Sequence, residues 1–240
     1  MHKTNTKEPL MTILVTGAAG LIGQSIARAL VGEGYEVLGV DIAPNVAEVL
    51  EPLHVRPLHV NLFDIEASLR AIDEALNDAP LVGLVNNAAR MQHDQNLLWQ
   101  EFEAMLRVNL TVPYALSQHL FPRLKATKGA IVNIASTRAH MSEPRTEGYS
   151  ASKGGLLSLT HAHAATFAPH VRVNAISPGW IAPPNAPHTQ ADHAQHWSGR
   201  VGVPEDIAQL CVYLLGPKAG FITGAEFVAD GGMTRTMLYV

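Results

Sequence analysis

The sequence predicts an α/β fold: a doubly wound, mostly parallel sheet with helices on both faces. Three observations predict it. Short apolar runs rich in β-branched residues are interleaved with longer helical patterns, as βαβ units require. A glycine-bearing turn follows the first run and opens the first helix. The chain has 240 residues, 47% apolar and 16% charged, which suits one large α/β domain better than two small ones. That domain is expected over residues 11–240, after a polar, flexible segment at 1–10 with no apolar leader pattern.

Residues 12–15 read as a buried parallel strand. The segment 16–23 that follows carries Gly17, Gly20 and Gly23, which let the backbone turn tightly and approach a pyrophosphate. The helix expected over 24–31 then offers free N–H groups and a positive dipole end to phosphates. Residues 36–40 form the second strand, with Asp41 at its end, eighteen residues past Gly23. A carboxylate there accepts from the ribose hydroxyls of an adenosine and repels a 2′-phosphate, by about 4 kcal/mol if close and half-shielded. Its neighbours Gly20 and Ile42 are not basic, so NAD is expected rather than NADP. The plainer reading of Asp41 is a turn aspartate.

A third strand is expected at 58–60, ending at Asn61 and Leu62, and an amphipathic helix at 63–77. The fourth strand, 81–85, leads to small and polar residues at Asn86, Asn87, Ala88 and Ala89. A long helix is expected over 97–124, with Pro113 and Pro122 as kinks or stops and Asn109 inside it. Strand five covers 130–134, and Ser136 lies just past it, on the edge where doubly wound sheets collect ligands. Residues 137–148 loop to a helix that carries Tyr149, Lys153 and many small residues, suited to close packing. Strand six covers 171–176 and runs into Pro178, Gly179 and Ile181. Residues 182–200 have the composition of a mobile lid. A helix starts at Pro204, a last strand covers 226–229, and 230–232 is a turn.

Tyr149 and Lys153 are four residues apart, so on a helix they sit roughly 40° apart on one face. A free tyrosine titrates near ~10, and bringing it to ~7 takes about 4 kcal/mol of phenolate stabilisation. One cation at ~4 Å supplies about that at an effective dielectric of ~20. Lys153, helped by a positively charged nicotinamide, is therefore expected to give an acid–base group with a depressed phenol, and Ser136 to donate to the same reacting oxygen. Alone, the spacing far more often marks an ordinary surface helix with a solvated lysine; the dinucleotide frame around it is what favours chemistry.

Together these segments resemble the short-chain dehydrogenase/reductase family, compact branch, over nearly the whole chain. The likeness is carried by TGAAGLIG at 16–23, Asp41, NNAA at 86–89, Asn109, Ser136 and YSASK at 149–153. PGWI at 178–181, GVPEDIA at 202–208, FITG at 221–224 and DGG at 230–232 extend it. The resemblance implies a Rossmann-like seven-stranded sheet, a homodimer or homotetramer, and an oxidoreductase that moves a hydride between a nicotinamide and a secondary alcohol or ketone. It implies that Tyr149 is the general acid/base and that Lys153 holds the nicotinamide ribose. Ser136 would bind the substrate oxygen and Asn109 support a water-mediated proton relay. Gly17, Gly20, Leu21, Ile22 and Gly23 would line the pyrophosphate and ribose. Asp41, Ile42, Asn61, Leu62, Asn87 and Ala88 would hold the adenosine side, and Pro178, Gly179 and Ile181 the nicotinamide. The chain departs from the family pattern at Leu21, Asn61, Ala89 and Pro183, none of them a catalytic group. The rival readings are a dinucleotide-binding sensor or scaffold, and an epimerase or dehydratase with tightly held NAD.

Other features exclude or qualify. A formal charge of −4 without a basic block argues against a nucleic-acid partner. No apolar run reaches the ~20 residues of a membrane span. The single cysteine, Cys211, cannot form an internal disulfide, which fits a cytoplasmic protein. His188, His193 and His196 cluster in the lid, but no further ligand completes a metal site, so solvated histidines are expected. Arg90, Arg138 and Arg145 fall in loops near the strand ends. Pairing with Glu143 and Glu147 is their favoured reading, and an anionic substrate group the alternative.

Overall fold

The computed structural model describes residues 11–91 and 98–237. The expected flexible segment 1–10 and Leu97, the expected first residue of the long helix, lie outside them. Seven strands form one sheet in the order β3-β2-β1-β4-β5-β6-β7, and every adjacent pair is parallel. The strands are β1 (Thr12–Thr16), β2 (Glu36–Asp41), β3 (Arg56–His59), β4 (Leu81–Asn86), β5 (Ala130–Ile134), β6 (Arg172–Pro178) and β7 (Glu226–Ala229). The expected third strand begins two residues too late: Arg56 and Pro57 belong to it because β3 is an edge strand, where a charge and a missing N–H are tolerated.

Parallel strands return through helices, and the strand pattern decides which face each helix covers. On one face Ile13, Val15, Val37, Val132 and Ile176 pack with Ile26 and Leu30 of α1 (Leu21–Gly32) and Ile207 and Leu214 of the last long helix. On the other face Leu14, Leu38, Leu84, Ile131 and Val173 pack with Ile72, Leu116, Leu120 and Phe167. Alternate residues of β1 thus enter opposite cores, as the two-residue period of a strand demands.

The remaining helices are α2 (Val46–Leu50), α3 (Ile65–Leu76), α4 (Trp99–Leu106), α5 (Val112–Thr127), α6 (Glu147–Phe167), α7 (Gln190–Ala194) and α8 (Pro204–Leu215). The expected long helix runs on from α4 into α5 through a π-helical turn at Arg107–Thr111. Pro113 sits at the start of α5, directly after the π-turn. Pro122 does not stop that helix, which runs on to Thr127. Among the described residues no helix is long and apolar enough to cross a membrane.

Candidate active site

The strand order reverses between β1 and β4, and a crevice opens where their two connections diverge to opposite faces. The Thr16 hydroxyl spans it. It donates to the Val85 carbonyl at 3.2 Å and accepts the N–H groups of Asn87 at 3.0 Å and Ala88 at 3.1 Å. The Asn87 amide returns two bonds, to the carbonyls of Thr16 at 3.0 Å and Gly17 at 2.9 Å. Asn87 therefore shapes the glycine turn. At Gly17, φ is +64° and a Cβ would come within 2.7 Å of the Ala88 Cα. At Gly23 a Cβ would lie 2.1 Å from the Gly17 carbonyl oxygen.

A cleft of about 1030 Å³ stands over this turn. All eleven sequence-predicted residues of the pyrophosphate and adenosine sides line it: Gly17, Gly20, Leu21, Ile22, Gly23, Asp41, Ile42, Asn61, Leu62, Asn87 and Ala88. The α1 N-terminus in its wall has no side-chain cap and no acidic residue in its first turn, so its N–H groups remain for an anion. The Asp41 carboxylate accepts from the N–H of Ala19 at 2.9 Å and of Ala43 at 2.9 Å. It is both the turn aspartate and an acidic wall of the cleft. The size, the open helix end and the close glycine approach fit a dinucleotide.

Ser136, Tyr149, Lys153, Pro178, Gly179 and Ile181 stand beyond that lining, around the ends of β5 and β6. Ser136 is extended and buried, and its Oγ accepts the Arg138 N–H at 3.1 Å. That leaves its hydroxyl proton for the neighbouring Tyr149 phenol, whose pKa it pulls down. Lys153 is 2% exposed, and its Nζ donates to the Ile134 carbonyl at 2.7 Å. Burial pulls its pKa down to about 8. Nζ lies 5.5 Å from the Tyr149 ring centroid, over the ring.

The depressed phenol is expected with a positively charged nicotinamide beside Lys153; the protein's own groups do not depress it. Burial pushes the Tyr149 phenol above its ordinary value, against the smaller lowering effects of the Ser136 hydrogen bond and the Arg138 charge. The cause is burial: removing water from the phenolate outweighs both lowering effects.

Asn109 sits in the π-turn and is fully buried. Its Oδ1 accepts the Arg90 N–H at 2.7 Å; its Nδ2 donates to the Arg90 carbonyl at 2.9 Å and to Ser152 Oγ at 3.0 Å. Ser152 Oγ in turn donates to the Tyr149 carbonyl at 2.7 Å. A single side chain thus ties the cleft wall after β4 to the helix that carries the phenol.

Past β6, the Gly179 N–H donates to the Ala229 carbonyl at 3.0 Å, and a Cβ there would meet Asp230 at 2.6 Å. Ile181 pairs with Gly202 in an isolated parallel bridge. The expected lid between them has internal structure. Thr189 and Asp192 cap α7 reciprocally, and the Trp180 ring contacts His188 and His196. The expectation of solvated histidines is corrected for His196, which is 3% exposed. Among the described residues no group of three or more His, Cys, Asp or Glu side chains could hold a metal ion.

Arg138 pairs with Glu143 at 2.6 Å, as expected, whereas Arg90 pairs with Glu101 at 2.5 Å across the cleft rim. Arg145 is exposed, with φ at +69°. Sequence reasoning missed Ser152 and the Ala19 N–H. Ser152 lies inside the YSASK segment, and its position one turn from Tyr149 was the available signal.

Comparison with known proteins agrees with this geometry. The family model described as Enoyl-(Acyl carrier protein) reductase matches residues 17–234. An uncharacterized oxidoreductase of Thermotoga maritima is 42% identical over 94% of this chain and 96% of its own. The 2-(S)-hydroxypropyl-CoM dehydrogenase 3 of Xanthobacter autotrophicus is 32% identical over 92% and 96%. Among solved structures, an apo SCOR enzyme from Clostridium thermocellum superposes with a TM-score of 0.89 at 36% identity, covering 96% of this chain and 95% of that one. A 4-hydroxyisoleucine dehydrogenase complexed with NADH superposes with a TM-score of 0.85 at 29% identity, covering 95% and 100%.

Proposed function

Because the chain belongs to the short-chain dehydrogenase/reductase family of nicotinamide-dinucleotide oxidoreductases, we propose that it interconverts a secondary alcohol and a ketone with NAD(H). The observation that carries this is the grouping of Ser136, just past β5, with the Tyr149 phenol whose pKa it lowers and with buried Lys153 anchored to the Ile134 carbonyl, next to a dinucleotide-sized cleft. The name of the Xanthobacter relative, a dehydrogenase of a hydroxypropyl group, supports the same reaction type.

A bound nicotinamide supplies or takes up the hydride. Tyr149 Oη gives its proton to the carbonyl oxygen in reduction and recovers it from the alcohol in oxidation. Ser136 donates to that oxygen as charge develops on it. Lys153, held by the Ile134 carbonyl, opposes the cost of the buried phenolate. Asn109 supports the proton path by fixing Arg90 and Ser152 around it. The phenol's upward shift keeps it protonated at neutral pH, which suits its role as the acid in ketone reduction. Replacing Tyr149 with Phe tests the reading: NADH binding survives and turnover falls by orders of magnitude, whereas near-normal turnover refutes it.

The Asp41 carboxylate favours NAD over NADP, since a 2′-phosphate would meet a charge already fixed by two N–H groups. The ratio of kcat/KM for the two cofactors checks this; a preference for NADP overturns it.

We further propose a homo-oligomer through α5 and α6, in the cytoplasm. An apolar groove lined by Leu110, Tyr114, Leu159 and Ala162 supports the assembly, and Tyr114 is 50% exposed beside it. Light scattering of the intact chain decides between monomer and assembly. Cys211, free and buried, is compatible with a reducing compartment.

A further inference from the structure

Arg138 is two residues past Ser136 and shares its turn: its own N–H holds the Ser136 Oγ. Its guanidinium has two unlike ends. Nη2 faces outward to Glu143, whose side chain is 64% exposed while that of Arg138 is 20% exposed. Nη1 is enclosed and has no hydrogen-bond partner among the described residues. An enclosed guanidinium donor without a partner is costly and uncommon, and such groups mark places where something else completes the bonding. Solvent screens the Glu143 end, so the inner end keeps most of its positive field. That field reaches the Tyr149 phenol, where the reacting oxygen would sit.

Resting on the reading of this site as an alcohol–ketone oxidoreductase, we propose that Arg138 recognises a carboxylate on the substrate, carried close to the reacting carbonyl. The substrate class is then the keto acids and their hydroxy acids. A guanidinium matches a carboxylate better than a neutral group does, because Nη1 offers it a positively charged donor. Pinning Nη2 on Glu143 fixes the plane of the fork before substrate arrives, so little side-chain freedom is lost on binding. Nη1 is closed to solvent as the chain stands. A carboxylate bonded to it would be held away from water, which strengthens the pair.

The test uses α-, β- and γ-keto acids and their methyl esters, with NADH oxidation as the readout, in the wild type, Arg138→Gln and Arg138→Lys. For at least one chain length the wild type prefers the acid over its ester by roughly 10- to 100-fold in kcat/KM, the range of a hydrogen bond to a charged group. Arg138→Gln brings that ratio toward one, mainly through the KM of the acid, and Arg138→Lys restores part of it. A ratio near one in the wild type, or one unchanged by Arg138→Gln, overturns the proposal and leaves Arg138 as a brace for the Glu143 loop. If no acid or ester turns over, the oxidoreductase reading is in question separately. Calorimetric affinity of the same keto acids for the enzyme–NADH complex then decides Arg138: equal affinity in wild type and Arg138→Gln overturns its role, and loss in the variant supports it.

Discussion

Asn109 and Arg90 clasp each other through two hydrogen bonds, side-chain oxygen to backbone N–H at 2.7 Å and side-chain nitrogen to backbone carbonyl at 2.9 Å. The clasp mimics a backbone pair and closes the sheet-end loop onto the π-turn. Asn109→Ala removes both bonds and the Ser152 bond, and strands buried donors and acceptors. The expected loss is about 2–4 kcal/mol of stability. Turnover should fall together with it, because Ser152 and the Tyr149 carbonyl lose their anchor. Chemical denaturation and steady-state rates check both; an unchanged midpoint means the clasp is incidental.

Ser136 favours the phenolate of Tyr149 and so pulls the phenol's pKa down. Ser136→Ala withdraws that effect, so the phenol rises further, and the rate falls by roughly 10²–10³. Alcohol oxidation needs the phenolate. Its kcat/KM therefore climbs with pH, and that climb moves to more alkaline pH in the variant. A profile that stays put or moves toward acid contradicts the assignment.

Lys153 titrates at about 8 when folded and near 10.5 as an ordinary lysine. Between those values the unfolded chain holds a proton that the folded chain has released. Stability therefore rises with pH across this window, by roughly 3 kcal/mol at the limit. Lys153→Met lacks the rise. Unfolding free energies at the two ends of the window, wild type against variant, measure it directly; parallel pH curves would contradict burial of the ammonium.

Gly23 has no room for a methyl group, since the obstructing atom is the Gly17 carbonyl oxygen at 2.1 Å. Backbone cannot rotate away as a side chain can. Gly23→Ala must push α1 off the turn, costing about 1–3 kcal/mol, and it should weaken NADH binding more than it lowers the melting temperature. NADH fluorescence titration checks this; full affinity would place the dinucleotide elsewhere.

Much of this was legible in the sequence because the central strands are buried on both faces and read as apolar runs. Strands β1, β4, β5 and β7 fall where 12–15, 81–85, 130–134 and 226–229 were expected, within a residue. The edge did not announce itself: Arg56 and Pro57 look like loop, and α2 is only five residues. The glycine turn and Asp41 were readable since their chemistry depends on local spacing. The state of Tyr149 was not, because it turns on how much water the packed chain removes. The direction of the Lys153 ammonium depends on Ile134, nineteen residues away in sequence. Nor does side-chain pattern reveal a π-turn, which is a change in backbone bonding register.

That π-turn limits how the chain can change length. A residue accommodated there rotates everything after it by about 100° relative to a regular helix. Leu116, Leu120 and Leu124 reach the sheet from the phase it sets. Deleting one residue within Arg107–Thr111 would let the turn close to regular helical spacing, keeping this leucine row on the sheet but pulling Asn109 away from Arg90 and Ser152. Evolution can therefore lengthen or trim the outer loops of this protein far more freely than this one internal turn.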